Sequence, residues 1–256
     1  MLVVFFRIFH LIFEVICMKI IIDTKENCAK LAAQEYKKLL NEKPDCILGL
    51  ATGSTPEDLY KELIALNNAG ELSFKQVKSY NLDEYVGLTG EHPQSYRFFM
   101  DDKLFNHVDI DKNNTHVPSG IDIDDEKAAQ YDKEIEAAGG IDLQLLGVGN
   151  NGHIAFNEPG TALDSVTHVV KLTQSTLEAN KRFFDSIDDV PTHAVCMGIK
   201  TIMNARKIIL MAYGKNKAAA MAQAINGKID LNVPASILQL HPDCTIYMDQ
   251  DAASEL

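Results

Sequence analysis

Residues 141–147 read Ile-Asp-Leu-Gln-Leu-Leu-Gly, a short and almost continuously apolar run. A strand whose sheet carries helices on both faces is buried on both sides, so its sequence is apolar throughout instead of alternating. This run is therefore typical of a strand in the middle of such a sheet. Gly147 ends it and opens a glycine-rich segment, as expected of the loop that follows a central strand.

Similar runs recur from Met18 onward and alternate with stretches whose apolar residues follow helical spacing. The other predicted strands are 18–23, 46–51, 77–82, 168–172, 193–199, 207–213 and 244–249. The predicted helices are 25–42, 56–70, 95–105, 124–138, 175–185, 199–205 and 215–226, with Thr55 as the cap of the second. This alternation predicts an α/β fold: one domain over residues 18–256, with a mostly parallel, open, Rossmann-like sheet and helices on both faces.

Composition excludes several classes of protein. Of the 256 residues, 46 % are hydrophobic and 23 % are charged, which is ordinary for a globular domain and not for a disordered chain, a collagen or a coiled coil. The net charge of −12 disfavours nucleic acid as a partner, because an acidic surface repels the phosphate backbone. A small anionic substrate is still compatible with it, because a few cations suffice to line a pocket.

The first 17 residues form an apolar extension interrupted by three polar residues, Arg7, His10 and Glu14. A signal peptide is disfavoured by the absence of a basic start and of a small-residue cleavage site. We favour translation beginning at Met18, so that residues 1–17 are not native. An additional surface or partner-facing helix and a membrane anchor are the alternatives, and we expect no membrane association of the domain.

The cysteines indicate a reducing compartment. There are five, an odd number, and no Cys-x-x-Cys pair occurs among them. This pattern is typical of buried thiols in a cytoplasmic protein and not of a disulfide framework or a zinc site. We expect no metal.

Residues 51–56, Ala-Thr-Gly-Ser-Thr-Pro, join a predicted buried strand to a predicted helix. Glycine allows close approach of the backbone, and the hydroxyls together with the N–H groups of a helix start suit a phosphate. The Gly-Lys-Ser/Thr ending of a P-loop is missing. A plain turn with a threonine cap is the competing interpretation.

Residues 81–85, Asn-Leu-Asp-Glu-Tyr, follow another predicted strand. Two adjacent acids at a strand end cannot both face the core. One of them can project into a crevice at the carboxyl edge of the sheet and serve as a base. A solvated turn is the alternative.

The segment 147–160 contains Gly-x-Gly-x-x-Gly, but Pro159 and Gly160 interrupt any helix, so dinucleotide binding is disfavoured. His153 and Glu158 lie five residues apart in this irregular segment. Turned inward, a carboxylate beside an imidazole fixes its tautomer and forms a pair for proton transfer. A structural histidine is the alternative.

Two cations complete the set of candidates. Arg182 lies in Ala-Asn-Lys-Arg-Phe-Phe, residues 179–184, and Lys217 follows a predicted strand end and opens a helix. A lysine at that place can meet an anion attracted by the helix N-terminus. Each of them alone is also consistent with a solvated surface charge.

Taken together, these segments resemble the glucosamine-6-phosphate isomerase (deaminase) family. The matching stretches are GLATGSTPEDLY at 49–60, SYNLDEYVGL at 79–88, HPQSYRFFM at 92–100, LLGVGNNGHIAFNEPG at 145–160, ANKRFF at 179–184 and GKNKA at 214–218. They follow in order over nearly all of residues 18–250. The resemblance implies conversion of glucosamine 6-phosphate and water into fructose 6-phosphate and ammonia, with neither a metal nor an organic cofactor.

The resemblance also implies roles for individual residues. Asp83 is the base that moves a proton between C2 and C1 of the open-chain sugar, His153 assists ring opening, and Glu158 orients His153. Asn151 stands where some members of the family have aspartate. The residues implied to hold the 6-phosphate are Thr52, Gly53, Ser54, Thr55, Arg182 and Lys217.

A second departure from the family concerns regulation. The larger, allosterically regulated members have basic residues near positions 168–170, where this chain has His-Val-Val. We therefore do not expect activation by N-acetylglucosamine 6-phosphate, and we expect a monomer or a small homo-oligomer.

Two other functions compete with this one. A 6-phosphogluconolactonase shares the fold and the Gly-His loop, but there Ser-Leu-Phe-Pro usually follows, whereas residues 156–159 here are Phe-Asn-Glu-Pro. A non-catalytic sugar-phosphate sensor would carry a DNA-binding module, for which residues 1–17 are too short and too apolar. The deaminase hypothesis requires that the turns carrying residues 52–55, 83 and 153 meet in one crevice.

Overall fold

The computed structural model describes residues 18–181, 184 and 186–256. The predictions about residues 1–17 and about Arg182 lie outside the described residues. In the part of the chain that is described, no helix has both the length and the apolar character needed to cross a membrane.

Seven parallel strands form the main sheet, in the order β1-β10-β9-β6-β2-β3-β5. Their bounds are β1 Lys19–Ile22, β2 Ile47–Leu50, β3 Lys78–Asn81, β5 Thr115–His116, β6 Leu143–Leu146, β9 Lys207–Ala212 and β10 Cys244–Met248. Every residue of β6 is buried, as its apolar sequence predicts. The expected mostly parallel α/β sheet is therefore confirmed.

The α-helices are α1 Lys25–Glu42, α2 Glu57–Asn68, α3 Tyr96–Lys103, α4 Asp125–Ala138, α5 Gln174–Asn180, α6 Ile199–Met203 and α7 Ala218–Asn226. Short 3₁₀ helices cover Phe105–His107, Lys112–Asn114, Ile187–Asp189, Lys215–Lys217 and Pro234–Leu240. The predicted Thr55 cap is not formed: α2 begins at Glu57 with Pro56 in the N-cap position and no side-chain cap. The hydroxyl of Thr55 therefore does not cap this helix.

A second sheet corrects the prediction of a single one. Three strands, β4 Asp83–Tyr85, β7 His168–Lys171 and β8 His193–Cys196, pair antiparallel in the order β4-β8-β7. The segments 168–172 and 193–199 were expected to belong to the parallel sheet. Residues 83–85 were expected in a loop, but their backbone pairs with β8, with Asp83 opposite Cys196.

Leu82 alone separates β3 of the large sheet from β4 of the small one. Its N–H donates to the carbonyl of Leu50 at 3.2 Å, and its carbonyl accepts the N–H of Met197 at 2.7 Å. The chain thus passes from one sheet to the other at the carboxyl edge of the parallel strands. Ligands of such sheets bind at this edge.

Gly120 lies against the end of β4, and we predict that there is no room for any larger residue at position 120. A Cβ at this position would lie 2.0 Å from the carbonyl oxygen of Tyr85, so Gly120→Ala forces the backbone of β4 or of residue 120 to move. Overpacking of this kind costs about 1–3 kcal/mol. Thermal unfolding should show a fall in Tm of about 2–4 °C for each kcal/mol.

Gly147→Ala is the matched control for this experiment. A Cβ there has Thr55 Oγ1 as its nearest neighbour, at an ordinary contact distance of 3.9 Å. Its Tm should stay close to that of the wild type. Equal Tm values for the two variants would contradict the close approach of Gly120 to β4.

Candidate active site

Loops from the carboxyl ends of four parallel strands line one cavity of about 710 Å³. They are the loops after β2, β3, β6 and β9. The predicted site residues that line the cavity are Thr52, Gly53, Ser54, Thr55, Asp83, Asn151, His153 and Lys217. The meeting of distant turns required by the sequence hypothesis is therefore present in the fold.

The loop after β2 is shaped by one glycine and anchored by one tyrosine. Gly53 has φ +86°, a left-handed conformation that side chains with a Cβ rarely adopt. The hydroxyl of Tyr60, buried in α2, donates to the carbonyl of Ala51 at 2.5 Å and so ties the start of the loop to the helix. Hydroxyls and backbone N–H groups of residues 52–55 are thereby presented to the cavity.

Asp83 is the first residue of β4, and only 6 % of its surface is exposed. Among the described residues, no group donates a hydrogen bond to its carboxylate. Burial, and secondly the charge of Glu84, raise its pKa from the ordinary value of 3.8 to about 8. The solvated-turn interpretation is therefore wrong, and the carboxyl has the proton affinity of a general base that works near neutral pH.

Glu158 does not itself line the cavity but holds the residues that do. Its Oε2 accepts a hydrogen bond from Asn151 Nδ2 at 2.7 Å and lies 3.5 Å from His153 Nδ1. The latter separation is that of an ion-pair contact rather than of a close hydrogen bond. Its Oε1 accepts hydrogen bonds from the hydroxyls of Thr173, at 3.2 Å, and of Thr176.

These contacts determine the protonation of Glu158. Burial by itself raises the pKa of its carboxyl. The opposing effects of His153, Thr176 and Asn151 are together larger, so the pKa falls from 4.5 to about 2. Glu158 is thus a permanent anion beside His153 Nδ1.

The glycines of the 147–160 loop make room for the imidazole. A Cβ on Gly149 would lie 2.3 Å from the ring of His153. The N–H of Gly149 also donates to the carbonyl of His153 at 2.8 Å, which closes the loop on itself. The Gly-x-Gly-x-x-Gly pattern therefore positions a histidine here.

Lys217, like Lys103, brings a cation to the cavity. Its Nζ donates to Asn150 Oδ1 at 2.7 Å, and Nδ2 of Asn216 donates to the same oxygen at 2.9 Å. Asn150 thus connects the loop after β6 with the loop after β9. Lys217 is thus hydrogen-bonded at the cavity, as its predicted place at a site requires.

Sequence reasoning missed an aromatic wall and three polar residues. The ring of Tyr96 lies 4.8 Å from that of Tyr85 and stacks on Phe156 at 6.1 Å. Phe184 approaches Tyr85 edge-on at 5.8 Å. These aromatic residues lie within the stretches 79–88, 92–100, 145–160 and 179–184 that carry the family resemblance. The missed polar residues are Asn150, Thr173 and Thr176; the two threonines lie far from Glu158 in sequence, and no local pattern marks them.

No group of three or more histidine, cysteine or acidic side chains suited to a metal ion occurs among residues 18–181, 184 and 186–256. Four of the five cysteines, Cys28, Cys46, Cys196 and Cys244, are buried free thiols. The fifth, Cys17, lies outside the described residues. The site is thus composed of carboxylates, an imidazole, an ammonium group, hydroxyls and aromatic rings.

Comparisons with known proteins show which family the whole chain resembles. The glucosamine-6-phosphate deaminase of Thermoanaerobacter pseudethanolicus is 53 % identical over 239 residues, which are 93 % of this chain and 94 % of that protein. The enzyme of the same name from Clostridium perfringens is 52 % identical over 93 % of this chain and 98 % of its own length. A solved structure of a monomeric glucosamine-6-phosphate deaminase superimposes with a TM-score of 0.90 at 44 % identity, covering 93 % and 100 % of the two chains.

A 6-phosphogluconolactonase from Trypanosoma cruzi superimposes with a TM-score of 0.74 at 18 % identity, over 94 % of this chain and 97 % of its own. That likeness shows a shared fold alone. The sequence profile described as "Glucosamine-6-phosphate isomerases/6-phosphogluconolactonase" matches residues 23–247. This chain therefore belongs to the glucosamine-6-phosphate isomerase/6-phosphogluconolactonase family.

Proposed function

We propose that this chain converts glucosamine 6-phosphate and water into fructose 6-phosphate and ammonia. Relatives of about half identity over nearly the whole chain are glucosamine-6-phosphate deaminases, and the chain is an enzyme of that kind. One observation supports the assignment of residues most strongly: Asp83, His153 and the 52–55 loop line the same cavity. The roles below follow from that arrangement.

The phosphate binds at the loop after β2. Residues 52–55 provide hydroxyls and N–H groups, and Lys217, fixed by Asn150, provides a positive charge. Arg182, which lies outside the described residues, remains a predicted second cation. Anchoring the far end of the sugar orients C1 and C2 and takes no part in the bond changes.

His153 opens the pyranose ring. Its imidazole carries a proton between the C1 hydroxyl and the ring oxygen, which breaks the bond between C1 and that oxygen. Glu158 stabilises the charged imidazolium and, with Asn151, restrains it in place. The product is an open-chain aldehyde with the amino group on C2.

Asp83 then acts as the base. It removes the proton from C2 and returns a proton to C1, while one proton passes from the nitrogen on C2 to the oxygen on C1. The C1 aldehyde and C2 amine thereby become a C1 alcohol and a C2 imine. Water adds to the imine and expels ammonia, leaving the C2 ketone of fructose 6-phosphate. A single carboxylate can serve both carbons because they are adjacent, and its high proton affinity favours the first transfer.

The two alternative functions have less support. The structural likeness to 6-phosphogluconolactonases lies at 15–19 % identity, well below that to the deaminases. A non-catalytic sensor needs no base, yet Asp83 and the His153–Glu158 pair are both assembled at the cavity. We also propose a cytoplasmic location, which the buried free thiols support, and a monomer or small homo-oligomer.

The purified protein should release both ammonia and fructose 6-phosphate from glucosamine 6-phosphate, and EDTA should not reduce the rate. Asp83→Asn should lower kcat by about 10²–10⁴-fold, the usual contribution of a general base, while binding of the sugar phosphate persists. A coupled assay for fructose 6-phosphate and calorimetric titration measure the two quantities. An inactive but folded wild type would contradict the function, and an active Asp83→Asn variant would contradict the base.

The same variant should be more stable than the wild type at pH 7. The carboxyl of Asp83 ionises near 3.8 when unfolded and near 8 when folded, so between these values the unfolded chain loses the proton first. Each rise in pH through this window therefore favours unfolding, and asparagine removes that cost. Tm should rise by about 2–4 °C for each kcal/mol recovered.

Asp142→Asn serves as the control for stability. Asp142 is also buried, but it accepts hydrogen bonds from Lys43, Arg206 and the N–H of Ile47. Asparagine keeps only one acceptor oxygen and no charge, so part of these hydrogen bonds and the pairing with Lys43 and Arg206 are lost, and Tm should fall. If Asp83→Asn also lowered Tm at pH 7, the unfavourable burial of the Asp83 charge would be contradicted.

Lys217→Ala should raise KM by about 10- to 100-fold with a smaller change in kcat, because a hydrogen bond to a charged group contributes about 1.5–3 kcal/mol. Steady-state kinetics give both constants. Lys215→Ala is the matched control, since Lys215 lies in the same 3₁₀ turn, is exposed and does not line the cavity. Equal KM values for the two variants would remove Lys217 from the phosphate site.

A further inference from the structure

Glu84 directly follows the proposed base, and the proposed mechanism gives it no role. Only 3 % of its surface is exposed. Asp83 lines the catalytic cavity, whereas Glu84 lines a separate cavity beside α4, as expected of adjacent residues on a strand. A carboxylate so deeply buried and so close to the reacting groups needs a physical explanation.

Three backbone N–H groups converge on the Glu84 carboxylate. Oε1 accepts from Tyr85 at 2.8 Å and from Tyr96 at 2.9 Å, and Oε2 accepts from Arg97 at 3.0 Å. All three partners are donors. Burial raises the pKa of Glu84 above its ordinary value, and these three donors offset part of that rise by stabilising the carboxylate.

Two of these donors belong to the first turn of α3. The N–H of the next residue, Phe98, donates to Ser95 Oγ at 3.0 Å, so Glu84 and Ser95 together satisfy the free N–H groups at this helix start. α3 carries Tyr96, Phe98, Phe99 and Lys103 along the wall of the catalytic cavity. Glu84 therefore attaches that wall to β4.

Several titratable groups of the described residues surround Asp83, and Glu84 differs from the others in its effect on it. The phenols of Tyr85, Tyr96 and Tyr131 and the thiol of Cys196 interact with Asp83, and burial raises the pKa of each, so they are neutral near pH 7. The other titratable groups lining the cavity are Glu57, Asp102, Lys103, His153 and Lys217. Of all these groups, Glu84 is the one whose charge contributes to the shift of Asp83.

We propose that Glu84 is a positioning residue with two coupled roles: it attaches the first turn of α3 to the catalytic strand, and its charge adds to burial in raising the pH at which Asp83 becomes a base. This inference rests on the proposed function of Asp83. A negative charge that cannot move away keeps the proton on Asp83 to higher pH. The same hydrogen bonds that stabilise the Glu84 carboxylate hold the cavity wall.

Glu84→Gln and Ser95→Ala separate the two roles. Glu84→Gln removes the charge and at least one of the hydrogen bonds, so the acidic limb of the kcat/KM profile should move to lower pH by about one unit. Ser95→Ala loosens the same helix start without changing any charge, so activity should fall while the limb stays in place. If the limb moved in neither variant, the role of Glu84 would be merely structural and the inference would be overturned.

A direct titration of the Asp83 carboxyl by ¹³C NMR, assigned with Asp83→Asn, distinguishes the two possible failures. A shift between wild type and Glu84→Gln in a protein without deaminase activity would refute the proposed function and leave the coupling intact. Deaminase activity with an unmoved titration would refute the coupling alone. If Glu84→Gln does not fold, Glu84→Asp takes its place, because it retains the charge. This variant should have a reduced kcat with the acidic limb of the kcat/KM profile unmoved. A moved limb in Glu84→Asp would also refute the coupling.

Discussion

The placement of the site depends on the backbone of Leu82, because that residue is hydrogen-bonded to both sheets. Its N–H pairs with the large parallel sheet at Leu50, and its carbonyl pairs with the small antiparallel sheet at Met197. Asp83, the next residue, is consequently fixed at the carboxyl edge of one sheet and at the first position of the other. Since both hydrogen bonds are made by the main chain, this placement is independent of any side-chain rotamer.

The two carboxylates nearest the proposed chemistry differ in hydrogen bonding more than in burial. Asp83 receives no hydrogen bond from the described residues, and its pKa rises to about 8. Glu158 receives several, and its pKa falls to about 2. Environments that drive the pKa values of two acids apart separate a proton acceptor from a permanent charge. The fold thus gives two carboxylates different chemical roles, one as a base and one as a fixed negative charge.

Much of this arrangement could be predicted from the sequence, and the failures have identifiable causes. Helix periodicity and the apolar run at 141–147 are local signals, and they gave the parallel sheet. The segment 193–199 is equally apolar, but a strand's sequence does not show whether its partner is parallel or antiparallel. Asp83–Tyr85 contains two acids, which disfavour strands, and only pairing with β8 overrides that preference.

The predictions for the site also succeeded where the signal is local in sequence and failed where it depends on tertiary contacts. Loops at strand ends were recognised because glycines, hydroxyls and a His–Glu pair stand close together in sequence. Thr173 and Thr176 were not recognised, because they reach Glu158 only through the fold. The role of Glu84 was likewise invisible, since its partners at Tyr96 and Arg97 depend on where α3 begins. A single sequence without an alignment does not show which distant residues form hydrogen bonds with one another.

A chain of net charge −12 can still bind a phosphate, because binding depends on the charges and donors that line the cavity and not on the total charge. At the cavity, Lys103 is paired with Asp102 at 2.8 Å, and the proposed partners of the phosphate are Lys217 and the donors of the 52–55 loop. Because the pKa of Asp83 is raised to about 8, its carboxyl is mostly protonated at neutral pH and repels the incoming phosphate little. The same burial that makes Asp83 a strong base thus also lowers the electrostatic barrier to its substrate.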